Sequence, residues 1–156
     1  MAPRSGAGRA ERYSDGEDGI AERARNAIRR LEEIVLKTGP FRSLDAFLDS
    51  ARLFNRAYGC LAARQFEQAI DLFQRVLAGD PQHVQSYGNL ALAYAGLGRR
   101  SEAMACFDRA LELDPKYDPA RLNRQRLAHM REGEPCLPEA IAEVEFYADQ
   151  HRKSRR

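Results

Sequence analysis

The chain has 156 residues, 44% of them apolar and 31% charged, and a net charge of +2 at neutral pH. That length is one domain's worth, and so small a net charge does not call for a polyanionic partner. No run approaches the ~18 consecutive apolar residues that a membrane span needs, and three cysteines far apart make no disulfide framework.

The opening stretch, MAPRSGAGRAERYSDGEDG, lacks the apolar core of a secretory signal. Residues 1–17 therefore read as an unstructured lead, and the cytoplasm as the default location. From Ile20 to about Thr38, Ile20, Ala24, Ala27, Ile28, Leu31, Ile34 and Val35 form one helical stripe, ended by Gly39-Pro40. Ser43 is placed to cap a segment running to about Arg64. Residues 18–49 are expected to form an N-terminal helical cap. Further helices are expected over Phe66–Ala78, His83–Leu97, Arg100–Leu113, Pro119–Met130 and Pro138–His151. No strand is expected, because Val, Tyr and Phe fall at spacings of three or four.

Several residues recur at an interval of 34: Ala69 and Ala103, Phe73 and Phe107, Pro81 and Pro115. Such an interval marks stacked helix-turn-helix units, none able to bury its apolar face alone. Ala57, Ala91, Ala69 and Ala103 let paired helices approach, while Phe73 and Phe107 fill the gap between pairs. Gly98 suits the left-handed end of a helix, and Asp80-Pro81 and Asp114-Pro115 stop the second helix of each pair. The third copy is irregular: its Ala140 falls three residues late, so the loop over 132–137 is expected to be lengthened. The last helix then serves as a cap, followed by a basic tail over 152–156.

The second copy carries Tyr87, Leu90-Ala91, Tyr94, Gly98, Ala103, Phe107, Ala110 and Pro115 in order. It resembles the tetratricopeptide repeat (TPR), whose signature has this order and spacing. The first copy is looser, with Leu53 at the aromatic position, Cys60 for the usual Tyr and Arg64 for the turn glycine. The resemblance implies an all-α, right-handed α-solenoid with an array over 50–151, in units 50–83, 84–117 and 118–151. It implies a non-enzymatic scaffold that binds a peptide segment or helix of a partner protein in its concave groove. No cofactor and no metal are expected.

The groove phase of the family falls on Phe54, Asn55 and Tyr58 in the first unit. It falls on Gln85, Asn89 and Leu92 in the second, and on Asn123 and Arg126 in the third. Asn55, Asn89 and Asn123 stand 34 apart, a column whose amides match the backbone of an extended peptide. Phe54, Tyr58 and Leu92 are the expected apolar anchors, and Gly88, Ala95 and Gly96 are expected to leave room beside Asn89 for a ligand side chain. The carboxylate clamp that some members use is expected to be absent, since only Asn89 matches it.

Two other functions compete. Arg121, Arg124, Arg126 and Arg131, with the tail, suggest nucleic-acid binding by the third unit. Phe41, Phe47, Phe146 and Tyr147 suggest a self-associating structural module, so a monomer or weak homodimer is expected. His83, His129 and His151 lie in separate units without metal-ligand spacing. Cys136 in the long loop is either a small buried residue or a reactive thiol. Glu67, Asp71, Glu102 and Asp108 read as outer-face partners of arginines.

Overall fold

The computed structural model describes residues 11–136 of the chain, with the side chains of 11–18 excepted. It contains α1 (Glu11–Thr38), α2 (Leu44–Ala62), α3 (Phe66–Gly79), α4 (Val84–Gly96), α5 (Arg100–Leu113) and α6 (Asp118–Leu127). No strand occurs among the described residues. The expected seventh helix and the basic tail lie outside them. The chain divides into two compact bodies, 1–47 and 48–156, with the division inside α2.

In the first body α1 begins at Glu11, so residues 11–17, expected as an unstructured lead, are helical where described. The helix closes where Thr38 Oγ1 donates to Ile34 O (2.7 Å) and Gly39 N to Val35 O (3.1 Å). Ser43 caps α2 as expected: its Oγ accepts from Ala46 N at 3.1 Å. Phe41 and Phe47 meet edge to face across this corner, ring centroids 5.5 Å apart.

The second body is a stack of helical hairpins. Short turns force neighbours antiparallel, and α3 packs on α4, α4 on α5 and α5 on α6. Helices α4 and α6 also touch, so α5 lies in a second layer behind them. Phe54 of α2 meets Phe73 of α3 edge to face at 5.7 Å. Helix α4 is in the middle, and every residue from Gly88 to Gly96 is buried. The core runs through the repeated positions Ala57, Ala69, Phe73, Ala91, Ala103, Phe107 and Ala110.

The 34-residue period is visible bond by bond. Asp80 N donates to Val76 O and Asp114 N to Ala110 O, each at 2.9 Å. The same two carboxylates then accept from Gln82 N (3.1 Å) and Lys116 N (2.9 Å), closing matched Asp-Pro turns. At the tighter turns, Gln65 N donates to Cys60 O and Arg99 N to Tyr94 O, again 2.9 Å each. Both turns need a left-handed residue: Gly98 has φ 73° and Arg64 φ 59°. A side chain in that region costs roughly 1–2 kcal/mol, part of which glycine gives back as unfolded-state entropy. Arg64→Gly is therefore expected to raise stability by about 0.5–1 kcal/mol, read as a higher urea midpoint at unchanged slope.

The expected long third loop folds back on the second unit. Glu132 accepts from Ser101 N (2.9 Å) and Ser101 Oγ (2.7 Å), capping α5. These bonds hold its carboxyl below the usual range. Gly133 N donates to Gly98 O and Cys136 N to Ala95 O, both at 2.8 Å. In return Arg100 donates to Leu127 O and Ala128 O at 3.1 Å each. That capture of the last carbonyls accompanies the end of α6 at Leu127, three residues before the expected Met130. Cys136 is buried, and burial pushes its thiol up, away from the thiolate that reactivity requires.

Candidate peptide-binding face

The groove expected from the resemblance falls on α2, α4 and α6, and the residues assigned to it divide sharply by depth. Asn55 and Arg126 are exposed, and Tyr58 and Gln85 are half-buried. Asn89 and Asn123 are 2% and 1% exposed. The Oδ1 atom of each is buried without a hydrogen-bond partner. Two carbonyl acceptors of the same repeat phase, on touching helices α4 and α6, are thus left with lone pairs unfilled. Each such acceptor costs about 1–3 kcal/mol relative to a satisfied one.

Phe54 and Leu92, expected as open apolar anchors, are buried. Phe54 lies between Phe73 and the ring of His83, whose centroid is 5.1 Å away. Its apolar surface is spent on the stack. The room expected beside Asn89 is also taken. A Cβ on Gly88 would stand 3.0 Å from the Tyr117 ring, and one on Gly96 would stand 2.5 Å from that of Phe66. The glycines leave space for the chain's own aromatics.

Those aromatics obey the period. His83 and Tyr117 are 34 apart, as are the residues they cover, Phe54 and Gly88. A large residue meets the small ring in one unit, and no side chain meets the large ring in the next, so the volume is conserved. Phe66 and Arg100 are a further pair: each reaches the end of the following inner helix, through a ring on Gly96 and through a guanidinium on the carbonyls of Leu127 and Ala128. The period in the sequence was the signal for both pairs, but only alongside knowledge of which positions face each other.

His83 also caps α4, its Nδ1 accepting from Ser86 N at 3.2 Å with Ser86 Oγ at 2.9 Å. Burial lowers its pKa, against a raising influence from Asp80. A depressed folded-state value means that the unfolded chain binds the proton first. Stability from this group is therefore complete above about pH 6.5 and is lost as pH falls from there through the folded value. Urea midpoints at pH 7.5 and pH 5 should fall further apart in the wild type than in His83→Asn, which keeps a cap acceptor without a titration.

Two arginines of the third unit are engaged within the chain. Arg121 pairs with Asp118 at 2.6 Å and Arg124 with Asp108 of α5. The outer-face carboxylates Asp71 and Glu102 pair with Arg75 and Arg99, as their spacing implied. Burial pushes the Cys106 thiol up to about 11. Among the described residues no helix is long and apolar enough to cross a membrane.

The period and the matched turns are joined by one comparison that decides the family. Residues 61–125 match the family model described as tetratricopeptide repeat. This stretch of the chain is tetratricopeptide repeat. A TPR and J domain-containing co-chaperone, DNJ1, of Fusarium oxysporum f. sp. lycopersici is 31% identical over 84 residues, 54% of this chain and 16% of the fungal protein. The Saccharomyces cerevisiae protein named essential for maintenance of the cell wall protein 1 is 34% identical over 59 residues, 36% of this chain and 6% of its own length. The chain thus spans a small part of either relative. TPR units generally mediate contacts between proteins, and the helices α2 to α6 are a stack of that kind.

Proposed function

We propose that the chain is a non-enzymatic interaction module that grips an extended segment of a partner protein along α2, α4 and α6, through the main chain of that segment. One observation carries the reading: the buried Oδ1 acceptors of Asn89 and Asn123, a repeat apart, have no donor. Peptide N–H groups are the donors such acceptors lack; they reach them once the two side chains turn outward, and two such bonds supply about 1–3 kcal/mol together. Asn55, Tyr58, Gln85 and Arg126 are the reachable rim, and the exposed Asn55 extends the column into the first unit. The engaged arginines Arg121 and Arg124 disfavour the nucleic-acid alternative, because phosphate would have to compete with Asp118 and Asp108.

The test separates binding from folding. Peptides selected from a displayed random library on the wild-type chain are measured against Asn89→Leu, Asn123→Leu and the double variant. Leucine has nearly the shape of asparagine and no acceptor, so the free variants should be as stable as the wild type or more stable by up to about 1–2 kcal/mol. The selected peptides should lose roughly tenfold or more in affinity on the double variant. Variants less stable than wild type with affinity unchanged would make these asparagines structural and remove the grip.

A further inference from the structure

Helix α1 carries a second pattern, independent of the groove. Ile20, Ala24, Ala27, Leu31, Ile34 and Thr38 follow alternating steps of four and three. That alternation keeps a straight seam along a helix, the spacing of coiled-coil core positions. The seam is open to solvent: Ile20 is 62% and Ile34 57% exposed, and Ile28 and Leu31 are exposed beside them. A contiguous apolar row left in water marks an interaction surface.

The edges of the seam differ. Arg23, Arg30 and Lys37 recur every seven residues along one edge, and Ala21, Ile28 and Val35 along the other, where Val35 is already buried within the chain. In a coiled coil these edge positions face the neighbouring helix. The carboxylates of this stretch, Glu22, Glu32 and Glu33, fall off the seam, and Glu22 pairs with Arg25 at 2.9 Å. Among the described residues Arg23, Arg30 and Lys37 enter no ion pair. An uncompensated basic row beside an exposed apolar seam asks for a complement of opposite sign.

We infer that α1 docks a helix of a partner protein whose own apolar seam is edged by acidic residues, and that those carboxylates face Arg23, Arg30 and Lys37. A second copy of this chain does not supply that edge. Paired antiparallel, the basic row meets itself; paired parallel, it meets Ala21, Ile28 and Val35, with no carboxylate. An anionic lipid surface favours basic residues on the whole polar border of an amphipathic helix, and here one border only is basic.

Two synthetic helical peptides of roughly 21 residues test this against the full chain. Both carry Leu and Ile at the seam positions; one has Glu and the other Lys at both edges. In fluorescence anisotropy at low salt the Glu peptide should bind at least about tenfold tighter, and the difference should shrink as salt rises. Replacing Arg23, Arg30 and Lys37 together by Glu should invert the preference, at exposed positions where folding is not at stake. Leu31→Glu with Ile34→Glu should abolish binding of the Glu peptide while circular dichroism keeps its helical signal. Equal affinity for the two peptides would overturn the assignment. So would self-association of the chain in sedimentation without peptide binding, or partition onto phosphatidylserine vesicles in place of peptide binding.

Discussion

Gly98→Ala should lower the unfolding free energy by roughly 3 kcal/mol or more, the largest loss expected from adding a single methyl group to this chain. Two penalties combine at the site. The backbone there has φ 73°, a region that L side chains rarely adopt, and the added Cβ would stand 2.7 Å from the carbonyl of Gly133. The obstacle is backbone, so no rotamer change relieves it. Moving the segment around Gly133 away breaks its bond from Gly133 N to Gly98 O, and threatens the neighbouring bond from Cys136 N to Ala95 O. Arg64→Gly is the mirror test at the equivalent position of the first unit, with the opposite sign. Chemical denaturation of the two variants should move the midpoint in opposite directions.

Gly88→Phe should destabilise by about 3 kcal/mol, because its ring would occupy the space that Tyr117 fills. Tyr117→His alone should cost about 2–3 kcal/mol, as the smaller ring leaves a void over Gly88. Made together, the two changes install in the second unit the Phe54 and His83 pairing that the first unit already uses. The double variant should therefore recover at least about 1–2 kcal/mol relative to the sum of the single losses. A double-mutant cycle in urea measures this coupling. Strict additivity would mean that the two units do not share this packing rule.

Much of the fold was legible because its boundaries are written in local chemistry. The Asp-Pro pairs at 80–81 and 114–115, Gly98 at φ 73° and the Ser43 cap act within a few residues of themselves, so the sequence displays their effect directly. Depth was not legible in the same way. The groove phase identifies a side of a helix, but what covers that side comes from elsewhere in the chain. Phe54 disappears under Phe73 and His83, and the space beside Asn89 is closed by Tyr117, 28 positions later in the chain. Gly88 and Gly96 read as open room only while the rings that fill them are unseen. The end of α6 was misplaced for a similar reason, since the arginine that takes its last carbonyls sits at the start of α5.

The buried asparagines show the same division between what a period reveals and what packing adds. Their 34-residue spacing is plain in the sequence, whereas the missing donors at Asn89 and Asn123 emerge only once neighbours are placed. A buried acceptor without a donor lowers stability in the free chain, and the donor proposed for these two is a ligand's main chain. The proposed grip draws its link between the packing of α4 and α6 and function from these two groups.

The most direct measurement is a backbone N-methyl scan of a peptide selected on the wild-type chain, with affinity determined at each position. Methylation removes one N–H donor and leaves the side chains in place. Two positions should each lose roughly tenfold or more in affinity, and both losses should vanish on the Asn89→Leu, Asn123→Leu chain. Uniform tolerance along the peptide, or losses that persist on the double variant, would contradict a grip on the main chain by these two asparagines.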